Sequence, residues 1–472
     1  MNFDQLKTRL AAINQTPVLR FIDQLDPAGR NKLIAQLSAL DLDAMPQLVS
    51  AYVTGHYTPP IPTEIKPVTP LPRHPHTADE KVLYAKALAR GHELLRQGKV
   101  GAFLVAGGQG TRLGYDGPKG EYPVTPIRNK PLFQVFAQQL LAHCREHGKT
   151  IPWYIMTSDI NDAPTRAFFA RHNHFGYDPS AIYFFQQGMM PAFAMDGQLL
   201  LAAKDSLALS PDGHGGSLRA IQRSGALDDM KQRGVEHISY FQVDNPIVYC
   251  IDPLYLGLHD LSGSEMSSKT IAKSSPLERV GNFCLADGKL QVIEYSDLPN
   301  ELAYQTNPDG SLKFNAGSIA IHAMRVSFIE RINSGGELQL PWHCAQKKVS
   351  CIDRAGNLVK PDKPNAIKLE QFVFDAIPLA ANPLVYTTER SEDFSPVKNA
   401  EGADSPATSR RDQIRRHAAW LEACGVKIPR DAQGEVLATI EISPLYAATL
   451  DQFKMRKPAL AEIKPGDVLY LE

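Results

Sequence analysis

Apolar positions along the chain fall into two rhythms, and the switch between them divides it. In the first hundred residues the spacing is helical. Leu25-Asp26-Pro27 supplies an N-cap and a proline at the first helical position, after which Leu33, Ile34, Leu37 and Leu40 share one face. A strap from Pro59 to Pro75 holds seven prolines and is expected to be extended. Thr77-Ala-Asp-Glu80 is a capping box for a helix reaching about Gln97, and Gly98 stops it. From residue 100 to about 385, short apolar runs alternate with helical periods. Ala102–Ala106, Trp153–Thr157, Ile182–Phe185 and Ile238–Val243 read as strands. Leu132, Phe133, Phe136 and Leu140 mark a helix over 131–147, with Gly148 at the C-cap position. This interleaving predicts a doubly wound, mainly parallel, Rossmann-like α/β sheet, which binds ligands beyond the carboxyl ends of its strands. After a polar linker at 400–407 comes a helix bearing Arg410, Arg411, Arg415 and Arg416, expected to be a solvated basic face. Short strands around Ile440 and Leu469 follow. The expected organisation is a helical region with the strap (1–98), the α/β domain (99–385) and a small C-terminal domain (386–472).

Charge adds a constraint. Fifty Lys and Arg nearly balance 51 Asp and Glu, so no global field recruits nucleic acid or anionic lipid, and any anionic ligand must be handled locally. The six cysteines form no C-x-x-C and no zinc spacing, and are expected to be reduced thiols of a cytoplasmic protein. Nothing in the N-terminal residues resembles a signal peptide, and no apolar run approaches the ~20 residues of a membrane span. The 14 histidines, His172 and His174 among them, are expected to be ordinary polar residues rather than ligands of a metal cage.

The candidate chemistry centres on Phe103-Leu-Val-Ala-Gly-Gly-Gln-Gly-Thr-Arg-Leu-Gly114 and the Pro118-Lys119-Gly120 that follows. An apolar strand empties into Gly107, Gly108 and Gly110, which let the backbone approach a ligand with bare N–H groups outward. Arg112 then offers a planar fork for phosphate oxygens and Lys119 a compact charge, which points to a nucleoside triphosphate. Leu113 stands where a dinucleotide fingerprint needs its third glycine, so hydride chemistry is excluded. Lys119 lies between a proline and a glycine, unlike a P-loop lysine.

Further blocks carry a family resemblance. They are Ile151-Pro-Trp-Tyr-Ile-Met-Thr-Ser158, Phe184-Phe-Gln-Gln-Gly-Met189, Pro211-Asp-Gly-His-Gly-Gly216, Val243-Asp-Asn245, Val292-Ile-Glu-Tyr-Ser296, Phe314-Asn-Ala-Gly317, Lys360-Pro-Asp-Lys-Pro-Asn365 and Phe394-Ser-Pro-Val-Lys-Asn399. In this order, with Glu441-Ile-Ser-Pro-Leu445 behind them, they resemble the eukaryotic-type UDP-N-acetylhexosamine pyrophosphorylases of the UDP-sugar pyrophosphorylase group. The resemblance implies a nucleotidyltransferase sheet and a Mg²⁺-dependent reaction of UTP with a sugar 1-phosphate, giving a UDP-sugar and pyrophosphate.

It also implies residue roles. Val105, Ala106, Gly107 and Gly108 match the segment along the nucleotide. Arg112 and Lys119 match the catalytic cations on the phosphoryl groups. Gln187 matches the uracil reader, its amide offering the donor and acceptor that an imide edge requires. Gly213 matches a residue packed under the base. Asp244 matches the Mg²⁺-binding aspartate, one carboxylate sufficing for a hard ion that keeps phosphate and water ligands. Glu294, Tyr295 and Asn315 match sugar-facing residues, and Lys368 and Lys398 match lysines on the phosphates.

One position departs from the pattern. Where the acetylhexosamine enzymes typically carry an asparagine toward the acetamido side of the sugar, this chain has His214, as in the Gly-His-Gly of UDP-glucose and broad UDP-sugar pyrophosphorylases. The other blocks favour N-acetylglucosamine 1-phosphate. His214 keeps glucose or galactose 1-phosphate open. A nucleotide-sugar-binding protein without catalysis is expected to have lost Arg112, Lys119 or Asp244, and all three are present.

Overall fold

A parallel strand covered on both faces must be apolar on both, and the strands Val100–Val105 and Trp153–Thr157 are buried along nearly their whole length. In the computed structural model, which describes residues 2–55, 62–334, 340–456 and 462–472, these two strands lie inside a ten-stranded sheet. His237–Gln242, Val100–Val105, Trp153–Thr157 and Ile182–Gln186 pair in that order, all parallel. This is the half foreseen from the alternation of strands and helices. The other half is mostly antiparallel: Ala316–Arg325 pairs with His237–Gln242, Met266–Ala272 and Asn282, and Asn282–Ala286 forms a hairpin with Lys289–Ile293. The sheet is therefore mixed. In the parallel half helices cross between successive strands, and a tight turn reverses the chain between Asn282–Ala286 and Lys289–Ile293.

The chain gathers into two compact units. One comprises Thr63–Gln186, Ala220–Leu338 and Ala376–Glu472, the other Met1–Pro62, Gln187–Arg219 and Gln339–Asp375. Cuts at residues 98 and 385 are linear, whereas these units are assembled from separated stretches. The helix Ala78–Arg96, opened by the Thr77/Glu80 capping box, belongs to the sheet unit. It crosses Pro253–Leu261 so closely that a Cβ on Gly91 would lie 1.7 Å from the Pro253 carbonyl oxygen. One on Gly257 would lie 1.7 Å from that of Ala87. Of the proline strap, residues 59–61 lie outside the described residues. Beyond them Ile65–Pro67 pairs antiparallel with Asn282–Ala286, and the Leu71 amide donates to Val385 O at 2.9 Å.

The earlier helices, Phe3–Ala12 and Pro27–Ser38, serve the second unit, where Leu6, Leu10, Leu33 and Leu37 pack with Phe193, Leu201, Ile367 and Leu369. Asp26 caps the second helix, its carboxylate accepting from the Gly29 amide at 2.7 Å. The C-terminal residues build a small core of their own in the sheet unit, around Trp420, Leu421, Ile440, Ile442 and Phe453. The strands Thr439–Ile442 and Val468–Leu471 pair beside it.

The basic helix, Pro406–Glu422, corrects one expectation. Arg416 does not belong to a solvated face: it is buried, stacks over Tyr249 and Trp420, and donates to Ile247 O at 2.8 Å. A guanidinium is flat and weakly hydrated, so it can enter an aromatic core that an ammonium would leave. No helix among the described residues is long and apolar enough to cross a membrane.

Alanine at Gly257 tests the helix crossing. In a free helix the change stabilises by up to about 1 kcal/mol. Here it should destabilise by about 1–3 kcal/mol through overpacking. A lower urea midpoint is expected; a raised one would mean that the helices separate at no cost.

Candidate active site

The glycine-rich loop is a backbone construction. Beyond Val100–Val105 the chain turns at Gly107-Gly108 and folds back, Gly110 N donating to Gly117 O at 2.8 Å and Lys119 N to Gly108 O at 3.1 Å. A Cβ at Gly108 would meet nothing within 4 Å, so this stretch of backbone is open on that side. Gly120 is required for the opposite reason: a Cβ there would sit 2.1 Å from the buried ring of Phe133. Arg112 is exposed on the short turn Thr111–Leu113, and Lys119 is half-buried where the loop returns.

One residue that sequence reasoning missed holds this loop. Asn161 is fully buried, and its Nδ2 donates to Ala106 O at 2.9 Å and Gly108 O at 3.3 Å while its Oδ1 accepts from Ser158 N at 2.7 Å. The available signal was a polar cluster, Ser158-Asp-Ile-Asn161, at the carboxyl end of a parallel strand, where such sheets bind ligands.

Asp244 follows the strand His237–Gln242, in register with the loop strand. Three charged groups reach Lys119. It is pulled below the ordinary lysine range by burial; Asp244 opposes that shift, and Lys398 and Arg112 add to it by like-charge repulsion. Sequence-distant segments thus bring Asp244, Lys398 and Arg112 within electrostatic reach of Lys119.

A buried network sets this arrangement. Val397 N donates to Asp244 O at 2.7 Å, and Asn245 donates to Asp393 O at 2.6 Å and accepts from Ser395 N at 3.1 Å. The Asp393 carboxylate in turn meets the Lys269 ammonium, which also pairs with Asp252 at 2.8 Å. Burial works against the charge on Lys269, yet the two carboxylates win and raise its pKa. Asn245, Lys269 and Asp393 had no assigned role from sequence, because the bonds that join Asn245 and Lys269 to Asp393 span over a hundred positions.

Glu294, Tyr295 and Asn315 come together at strand ends of the same unit, since Asn282 pairs with both Ile293 and Gly317. Asn315 Oδ1 accepts from Lys273 N at 2.7 Å. Tyr295 is 43% exposed. Glu294 is half-buried, with one carboxylate oxygen against Gly281.

The second unit carries Gln187, Gly213, His214 and Lys368. Met189–Pro191 pairs with Leu209–Pro211, which sets Gln187-Gly188 beside Asp212-Gly213, and Asp212 N donates to Gly188 O at 3.1 Å. Gly213 has φ +86°, and a Cβ there would lie 2.3 Å from Gln371 O. Only glycine fits such a crossing. Lys368 is on the neighbouring strand Ala366–Glu370. His214 is held by the same crossing: its Nδ1 accepts from Val373 N at 3.0 Å, and its ring stacks on Phe372 with centroids 5.2 Å apart. An accepting Nδ1 places the proton of the neutral ring on Nε2. Burial, with His343 nearby, lowers the His214 pKa to about 4.

Comparison with known proteins identifies the family. The family model described as UTP–glucose-1-phosphate uridylyltransferase matches residues 59–453. The chain is 38% identical to the human UDP-N-acetylhexosamine pyrophosphorylase-like protein 1, covering 94% of this chain and 92% of that one. It is 39% identical to the Saccharomyces cerevisiae UDP-N-acetylglucosamine pyrophosphorylase, over 77% of this chain and 78% of the other. The crystal structure of the Trypanosoma brucei uridine diphosphate N-acetylglucosamine pyrophosphorylase in complex with inhibitor shares the fold, with a TM-score of 0.79 at 24% identity, covering 99% of this chain and 98% of that one.

Two substitutions test this construction. Asn161→Ala removes the side-chain donor to Ala106 O and one of the two donors to Gly108 O, and should cost about 1–3 kcal/mol. Hydrogen exchange should quicken at Gly108–Lys119; unchanged protection there would show that the loop is held otherwise. For His214, the unfolded ring (pKa 6.5) binds its proton before the folded one (about 4) as pH falls. Its stabilising contribution is therefore complete above the unfolded value and is lost downward through that window. His214→Asn should flatten the fall in urea stability between those two pH values. An equal slope in both proteins would mean that His214 titrates alike folded and unfolded.

Proposed function

The chain belongs to the UTP–glucose-1-phosphate uridylyltransferase family and is a nucleotidyltransferase, and on that premise we propose that its sugar substrate is N-acetylglucosamine 1-phosphate. The observation that carries the site assignment is the convergence of Asp244, Lys398 and Arg112 on Lys119, next to an open glycine backbone. Cations held together against their own repulsion suit a ligand carrying several negative charges.

In the reaction an oxygen of the sugar phosphate attacks the α-phosphorus of UTP. A new P–O bond forms as the bond to pyrophosphate breaks in line. The protein's task is to position two anions and to neutralise charge as it shifts to the leaving group. Arg112 and Lys119 take the transferring and leaving phosphoryl groups, and the Gly107-Gly108 backbone runs along the nucleotide with Val105 and Ala106. Lys368 and Lys398 contact phosphates. Gln187 reads the uracil edge and Gly213 leaves room for the base. The Asp244 carboxylate, half-buried among cations, is a hard oxygen donor that fits Mg²⁺ and would hold it; bound there, the ion supplies further neutralisation of the phosphates.

Glu294, Tyr295 and the free NH₂ of Asn315 face the sugar. His214 offers an Nε2–H donor that stays in place over the physiological range, the chemical role that an asparagine NH₂ would fill. A donor is thus kept at this position despite the change of residue. The names of the human and yeast relatives support the acetamido sugar. The setting we propose is cytoplasmic, supported by six cysteines that are all free.

Pyrophosphate release from UTP and Mg²⁺ should be tested with the 1-phosphates of N-acetylglucosamine, N-acetylgalactosamine, glucose and galactose. The highest kcat/KM is expected with N-acetylglucosamine 1-phosphate. Preference for glucose or galactose would transfer the reading to the one that His214 suggests, and release with none of the four would remove it. Lys119→Ala and Asp244→Ala should each lower kcat about 100-fold or more with an unchanged circular dichroism spectrum. Full activity in either variant would displace that residue from the site.

A further inference from the structure

Away from the phosphate loop, the helices Ala78–Arg96 and Leu132–His147 bring together a set of side chains that the uridylyl-transfer chemistry does not use. His92, Glu146 and His147 each present a ligand atom, and the three atoms lie within 4.8 Å of one another. The geometry points to a binding site for a zinc-class divalent cation, held by His92, His147 and Glu146 and joining the two helices.

The protonation pattern supports this. His147 Nδ1 lies 2.8 Å from the His143 carbonyl oxygen. A carbonyl can only accept, so Nδ1 carries the proton and Nε2 bears a lone pair. That lone pair faces His92 Nδ1 at 2.8 Å. Two ring nitrogens therefore share one proton at a point where a cation could take its place, with the His92 proton moving to the other nitrogen of its ring. The backbone bond on the far side of His147 is the usual orienting partner of a metal-bound imidazole. Tetrahedral coordination at zinc distances needs the two nitrogens about 3.3 Å apart, a small opening from their present separation.

Two further observations point the same way. The Glu146 carboxylate is already oriented, its Oε2 accepting from Gln452 Nε2 at 2.7 Å. One turn earlier on the same helix, His143 is 1% exposed, and neither of its ring nitrogens has a hydrogen-bond partner among the described residues. Its Nδ1 lies 3.7 Å from Glu146 Oε2. A buried imidazole without a partner is costly, and a cation beside Glu146 would give it a lone-pair acceptor.

Ligand type separates this site from the one at Asp244. Two imidazoles and a carboxylate suit Zn²⁺, Co²⁺ or Ni²⁺, whereas Mg²⁺ takes oxygen ligands and would not compete. The position argues for a clamp. Phe133, at the start of the helix Leu132–His147, packs on Gly120 of the phosphate loop, and His147 ends the same helix. An ion there would tie that helix to its neighbour without touching the reacting groups.

Metal-stripped full-length protein should be titrated with Zn²⁺ in millimolar Mg²⁺ by calorimetry, with Co²⁺ absorption as a second reading. Wild type should bind one equivalent more than His92→Ala or Glu146→Gln. Loss of a direct ligand should weaken that equivalent by about 100-fold or more, at or beyond the upper end of what loss of an orienting partner costs. Zn²⁺ should also raise the melting temperature of wild type and not of the variants. Both substitutions lie at partly or fully exposed positions, and circular dichroism checks that each variant is folded. Equal stoichiometry and affinity in wild type and both variants, or no Zn²⁺ uptake by wild type at micromolar concentration, would overturn the site.

Discussion

A partly buried lysine sets the demands on the sheet unit. Lys119 has Asp244, Lys398 and Arg112 within electrostatic reach, and its pKa is lowered first by burial, with Asp244 opposing the shift and the two like charges adding to it. Left to themselves, flexible side chains of one sign would spread into solvent. The segments that carry Asp244 and Lys398 are instead pinned from behind, where Val397 N bonds Asp244 O and Asn245 bridges Asp393 and Ser395. Below that lies the buried ion cluster of Lys269 with Asp252 and Asp393. Such a cluster is poor evidence for stability in itself, because desolvation offsets much of the attraction. Its consequence here is positional, since removing one member would leave a buried charge next to the segment that carries Lys398.

Close backbone approach is the second shared device. Around Gly120 the phosphate loop accepts the ring of Phe133, and around Gly91 and Gly257 two helices touch through their main chains. In the other unit Gly213 and Gly215 cross the Gln371–Phe372 backbone, which also positions His214 through Val373. In each place the missing side chain is occupied by a neighbour's atoms. At Gly108, by contrast, the side-chain position faces open space.

His214 illustrates how a change of residue type can keep its chemistry. The ring stacks on Phe372, which itself stacks on His343 with centroids 4.2 Å apart. The Val373 amide claims Nδ1 and so fixes the tautomer. What remains is one N–H donor in a set direction.

Much of the fold was legible from local signals, and so were the loop residues. Asp26 and the Thr77/Glu80 box cap the helices they announce, Gly148 ends the helix it was expected to end, and Trp153–Thr157 is a strand over its foreseen length. These features rest on neighbours a few positions apart, and a linear reading contains them. The mixed direction of the sheet, the burial of Arg416, the grip of Asn161 and the His92–His147 pair were not legible, because each depends on partners brought from far along the chain. The sequence by itself determined which residues could carry phosphate chemistry, since glycine, lysine, arginine and aspartate at those spacings have properties that need no context. Only the tertiary structure decided which of them meet, how far their charges perturb one another and which tautomer His214 holds. Electrostatic interaction and hydrogen bonding act through space, and spatial distance becomes defined only when the chain has packed.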